Sequence, residues 1–115
     1  MRIISGAFKG RTIRAPKNLP VRPTTDMAKE GLFNILYNRI EFEEISILDL
    51  FCGTGNISLE FASRGVADIT SVDGNHKCVG FVKSMFDDLN VSKAKTFKSD
   101  CLKFVENTPN TWDII

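Results

Sequence analysis

The chain has 115 residues, 43% of them apolar, 10% aromatic and 25% charged, with a formal net charge of +1. That suffices for one hydrophobic core and excludes a disordered tail or a collagen-like repeat. No apolar run approaches the roughly 20 residues that span a bilayer, and Met1 to Gly6 lacks the apolar stretch of a secretory signal, so the expected location is the cytoplasm. Cys52, Cys78 and Cys101 form no CxxC pair and His76 is the sole histidine, which argues against a disulfide framework and against a bound metal. The thiols read as small buried apolar side chains. The charge is uneven: residues 1–30 hold seven basic against two acidic residues, a net of +5, leaving −4 for the other 85. Such a field attracts polyanions, although a lysine and arginine face also serves solubility alone.

In chain order, residues 1–22 read as a basic arm or hairpin, with short extended pieces punctuated by Gly6, Gly10, Pro16 and Pro20. Pro23 disfavours a helical Arg22, and Thr24 or Thr25 is a fitting N-cap. Ala28, Leu32, Ile35 and Leu36 then fall at helical spacing, predicting a helix to about Asn38. Ile45 to Phe51 is a short apolar strand, followed by a glycine turn and a helix from about Asn56 to Arg64 that Gly65 stops. The unit then repeats. Asp68 to Asp73 is a strand and His76 to Leu89 a helix with Val79, Val82, Phe86 and Leu89 on one face. Ala94 to Lys98 supplies a third strand, a short helix with Leu102 and Val105 follows, and Trp112 to Ile115 begins a fourth. Phe97, Phe104 and Trp112 are expected in the core. Strands alternating with helices predict an α/β fold with a parallel sheet. Because such a sheet normally continues through further strands, residues 23–115 read as the N-terminal part of a domain, incomplete at its C-terminus.

The turn Asp49-Leu50-Phe51-Cys52-Gly53-Thr54-Gly55-Asn56 follows a strand and opens a helix, so its amides face the crevice where nucleotides bind in such sheets. Gly53 and Gly55 permit a left-handed backbone and close approach of a ligand. Asp73 stands 18 residues after Gly55 at the end of the second strand, where a carboxylate can accept both ribose hydroxyls. Asp100 ends the third strand and is a further acceptor, or simply a helix cap. Three carboxylates on one sheet edge repel one another unless a ligand with donors sits among them. A dinucleotide would set an anionic pyrophosphate against Asp49, and its fingerprint places a third small residue where this chain has Ser58. S-adenosyl-L-methionine carries an ammonium and a sulfonium and no phosphate, so Asp49, Asp73 and Asp100 complement it.

Three segments together resemble a known family. They are Met1-Arg2-Ile3-Ile4-Ser5-Gly6 with Lys9-Gly10-Arg11, then Arg22-Pro23-Thr24-Thr25-Asp26 followed by Lys29 to Leu36, and Leu48 to Gly55. The chain resembles the RsmD-type methyltransferases, which modify a guanine N2 in bacterial small-subunit ribosomal RNA. The resemblance implies a Rossmann-like methyltransferase sheet preceded by a short β arm and a helix. It implies that Asp49, Phe51, Cys52, Gly53 and Gly55 belong to the cofactor loop, that Asp73 is the ribose acid, and that Asp100 and Cys101 contact the adenine. Arg2, Lys9, Arg11, Arg14 and Arg22 are the candidate RNA residues, because they cluster on a glycine-bearing arm able to follow a phosphate backbone. The expected partner is ribosomal RNA or a small-subunit assembly intermediate. Gly31 stands where the family usually has alanine. The family's catalytic Asp-Pro-Pro-Tyr or Asp-Pro-Pro-Phe loop is expected a few residues past Ile115, so no catalytic residue is assigned within the chain. A methyltransferase acting on DNA or protein, or a noncatalytic nucleotide- or RNA-binding fragment, are the competing readings.

Overall fold

The computed structural model describes residues 1–22 and 24–115; Pro23, the expected break before the first helix, lies outside the described residues. The elements run α1 (Asp26–Tyr37), a single 3-10 turn (Phe42–Glu44), β1 (Ser46–Leu50), α2 (Asn56–Ser63), β2 (Asp68–Asp73), α3 (His76–Asp88), β3 (Ala94–Lys98) and α4 (Cys101–Asn107). Three of the helix starts have a local chemical reason. The Thr25 hydroxyl accepts from the Ala28 amide, the Asn75 side chain from Lys77 and Cys78, and the Asp100 side chain from Lys103, each satisfying amides that the helix itself leaves unpaired. No helix among the described residues is long and apolar enough to cross a membrane.

The three strands form a parallel sheet in the order β1-β2-β3. On the other side of β1, Ile47 makes a parallel bridge with Ile114, and the Leu48 amide donates to the Ile114 carbonyl at 2.9 Å. The last residues therefore lie against β1 opposite β2, and the strand order reverses at β1. In an open α/β sheet the crevice at such a reversal, at the carboxyl ends of the strands, is where ligands bind.

Two cores flank the sheet. On one face Ile47 and Ile69 pack with Phe33 of α1, Leu59 and Phe61 of α2, and Val82 and Phe86 of α3. On the other, Leu48 and Val72 pack with Cys101, with Leu50, Phe104 and Trp112 partly buried beside them. Phe97 is a correction to the expected core: it is 44% exposed and stacks on Phe104 at the outer strand. The first helix also turns a different face inward than the apolar spacing predicts. Leu32 and Ile35 are 42% and 57% exposed, whereas Lys29 and Phe33 are fully buried. On that face Lys29 forms an ion pair with Glu60 of α2 at 3.2 Å, and Phe33 packs edge-on against Phe61 with ring centroids 4.6 Å apart.

Residues 1–13 fold back as a hairpin-like turn, with Arg2 bridged to Thr12 and the Ile3 amide donating to the Arg11 carbonyl at 3.0 Å. Ile3 and Ile13 are buried in the larger core. The turn docks on the end of α2: the Ile4 and Ser5 amides donate to the Glu60 carboxylate, and the Ala7 amide donates to the Ser63 carbonyl at 2.8 Å. A Cβ on Gly6 would lie 2.0 Å from the Ser63 carbonyl oxygen, so only glycine fits this contact.

Candidate functional site

The glycine turn is built from left-handed residues. Phe51, Gly53 and Gly55 have φ of 57°, 56° and 76°, and for Phe51, which has a Cβ, this conformation is strained. Two bonds hold Phe51 there: its amide donates to Cys101 Sγ at 3.4 Å, and the next amide, Cys52, donates to the Val72 carbonyl at 3.0 Å. Gly55 is pressed against α3, where a Cβ would come within 2.8 Å of Val82 Cγ2. Phe51 is 70% exposed and lines the pocket of the glycine turn, so the strained backbone presents an aromatic residue to the crevice.

Asp73 closes the turn from the neighbouring strand. Its Oδ2 accepts from the Gly53 amide at 3.0 Å and its Oδ1 from the Asn75 amide at 2.9 Å. Each oxygen keeps a second lone pair, so the side chain fixes the two loops and retains acceptor capacity for a ligand. Asp49 lies deeper. Its Oδ2 accepts from the Ser58 hydroxyl at 2.5 Å, and burial raises its pKa above the usual carboxylate range, opposed by the Ser58 hydroxyl and amide and assisted by the charge of Asp73. Asp49, Phe51, Cys52 and Gly53 line one pocket of about 180 Å³. Val21, Arg22 and Thr24 form part of its wall, with Asn56 and Ile57 from the start of α2.

Of the other expected residues, Asp100 is occupied as the N-cap of α4, and Cys101 is buried beneath the Phe51 amide. All three cysteines are free and buried, and desolvation raises each thiol's pKa, which leaves them poor nucleophiles. Arg2, Lys9, Arg11 and Arg14 are exposed on the hairpin turn and the segment after it, whereas Arg22 joins the pocket of the glycine turn. Lys29, counted in the N-terminal positive field, contributes nothing to it, being buried against Glu60. Sequence reasoning missed Asn56, whose Oδ1 accepts from Lys29 Nζ at 2.8 Å and whose Nδ2 donates to the Thr24 carbonyl at 2.7 Å. It noted Ser58 only as a departure from a dinucleotide fingerprint. No sequence signal marks its role: Ser58 lies in the first turn of α2, and only the fold sets it over the sheet face that carries Asp49.

A glycine turn of this kind, framed by strand-end carboxylates and set where the strand order reverses, defines a Rossmann-like domain of the methyltransferase class. The solved structure of Escherichia coli yhhF, described as a methyltransferase, superposes with a TM-score of 0.87 at 29% identity, over 99% of this chain and 61% of that one. The chain belongs to the RsmD family, whose sequence profile, described as "Conserved hypothetical protein 95", matches residues 1–115. It is similar to the ribosomal RNA small subunit methyltransferase D of Buchnera aphidicola from Acyrthosiphon pisum, 35% identical over 115 residues, covering 98% of this chain and 59% of the relative. The Escherichia coli protein of the same description is 31% identical over 112 residues, 96% of this chain and 56% of the relative. The chain thus spans somewhat more than half the length of these curated relatives.

Proposed function

We propose that this chain supplies the S-adenosyl-L-methionine-binding part of an enzyme that methylates the exocyclic N2 amine of a guanine in small-subunit ribosomal RNA. It would work in the cytoplasm, on RNA or on a subunit assembly intermediate. The observation that carries the reading is the pairing of Asp49 and Arg22 on one pocket beside the glycine turn. An amino-acid end with an ammonium and a carboxylate complements both signs, while a pyrophosphate at the same place meets the Asp49 charge.

The remaining residues fit the rest of that cofactor. Asp73 offers its free lone pairs to ribose hydroxyls, the exposed Phe51 ring offers an apolar wall, and Asp100 with Cys101 marks the adenine side. When bound, the cofactor supplies a methyl group on a sulfonium. The chain's own part is to bind and orient it, since no residue here is assigned to orient the guanine amine or receive charge from it. Arg2, Lys9, Arg11 and Arg14 are assigned to phosphates, which position an RNA without specifying a base.

Titration calorimetry with S-adenosylhomocysteine and, separately, NAD tests the cofactor assignment. Binding of S-adenosylhomocysteine with no heat from NAD is expected, and the reverse result overturns it.

A further inference from the structure

Behind Asp49 lies a chain of hydroxyls that cofactor contact alone leaves unexplained. In the parallel register Ser71 of β2 stands directly opposite Asp49 of β1, so both side chains project from the same face of the sheet. Ser58 of α2 lies over them. Its hydroxyl donates to Asp49 Oδ2 at 2.5 Å and lies 2.7 Å from the Ser71 hydroxyl. Ser58 has one proton, which is committed to Asp49, so Ser71 donates to Ser58. Both serines are fully buried, and burying two hydroxyls is unfavourable unless they bond in this way. Close packing of the helix on the strand requires only a small residue at position 58, which alanine or glycine would satisfy. The hydroxyl is the part that packing does not require.

We propose that Ser58, backed by Ser71, is a positioning residue that fixes the Asp49 carboxylate and presents it to the ammonium of the cofactor's amino-acid end. This inference rests on the cofactor reading above. Asp49 is hemmed by groups of both signs. Asp73 faces it from the end of β2 and the Cys52 thiol lies in the adjoining turn, with Arg22 across the pocket and the Cys101 thiol behind the sheet on its other face. Without the Ser58 hydroxyl, burial and Asp73 act on Asp49 with less opposition, and its proton is held to higher pH. A protonated Asp49 has no charge to offer an ammonium.

The test uses Ser58→Ala, which suits a helix interior, and two ligands: S-adenosylhomocysteine, and methylthioadenosine, which keeps the nucleoside and thioether but lacks the amino acid. In calorimetry from pH 5.0 to 7.0, where the ligand amine stays mostly charged, the variant should bind S-adenosylhomocysteine about tenfold more weakly at the acid end. The deficit should shrink as pH rises, while affinity for methylthioadenosine stays at the wild-type value. Ser71→Ala should give the same pattern more weakly. Equal losses for both ligands, or a loss independent of pH, assign Ser58 to the architecture of the turn and overturn the proposal. So does unchanged affinity for both ligands. If the wild-type chain binds neither ligand, the cofactor reading itself fails, a result distinct from these.

Discussion

At Asp73 a structural role and the proposed binding role fall on one carboxylate. Its two oxygens staple the amides of Gly53 and Asn75, so an alanine there would loosen both loops and confuse a weakened ligand site with a disordered turn. Asparagine separates the two. It keeps one acceptor oxygen for a loop amide and removes the charge that strengthens bonds to ribose hydroxyls, each worth about 1.5 to 3 kcal/mol when charge-assisted. Asp73→Asn is therefore expected to weaken S-adenosylhomocysteine binding at least tenfold in calorimetry while thermal unfolding stays cooperative. An unchanged dissociation constant would leave Asp73 as a loop staple only. Phe51 shows the same economy in the other direction, since its left-handed backbone is a local cost that the Cys101 and Val72 bonds sustain.

Between elements, the decisive contact is the buried cluster that joins α1, α2 and the N-terminal turn. Glu60 pairs with Lys29 at 3.2 Å and with Arg64 at 2.8 Å, and Arg64 in turn lies 4.5 Å above the Phe33 ring. Burial alone would raise the Glu60 pKa, but the Ile4 amide, Arg64 and Lys29 outweigh it and hold the carboxyl below its ordinary value of 4.5. A depressed folded-state pKa contributes stability above the unfolded-state value and loses it as pH falls through the folded one. The melting temperature of the wild-type chain is thus expected to fall as pH drops below about 4.5. Glu60→Gln, which strands the Lys29 charge, should cost about 3 to 5 kcal/mol at neutral pH and flatten that acid dependence, as thermal melts at several pH values can check. This cluster also marks the limit of what the sequence discloses. Strand and helix positions were legible because caps and glycines are local signals: Thr25 and Asp100 stand where helices start, while the Asn75 cap went unread. The glycine turn was legible for the same reason. The inward face of α1 was not, because an apolar pattern gives no hint that a lysine will be buried by an acid 31 residues away. Nor was the docking of Gly6 on Ser63, or the hydroxyl pair behind Asp49, which exists only once β1 and β2 are in register.

Over the whole molecule, charge is sorted by depth: Lys29 and Glu60 neutralise each other inside, while Arg2, Lys9, Arg11 and Arg14 remain exposed. Arg11 and Arg14 do not line the pocket formed with Asp49, so the proposed RNA and cofactor sites can be separated by substitution. Reversing both to glutamate is expected to weaken binding of a small-subunit ribosomal RNA fragment and leave S-adenosylhomocysteine affinity within about twofold. Each neutralised phosphate accounts for a share of the released counterions, so the slope of log affinity against log salt should fall by roughly 0.7 to 0.9 for every phosphate that is no longer engaged. The deficit relative to wild type should therefore be largest in dilute salt, where the new carboxylates also repel the backbone, and shrink as salt screens both effects. Filter binding across a salt series reads both quantities. If affinity and slope stay at their wild-type values, the exposed arginines are a solvated face and the RNA surface lies elsewhere on the protein.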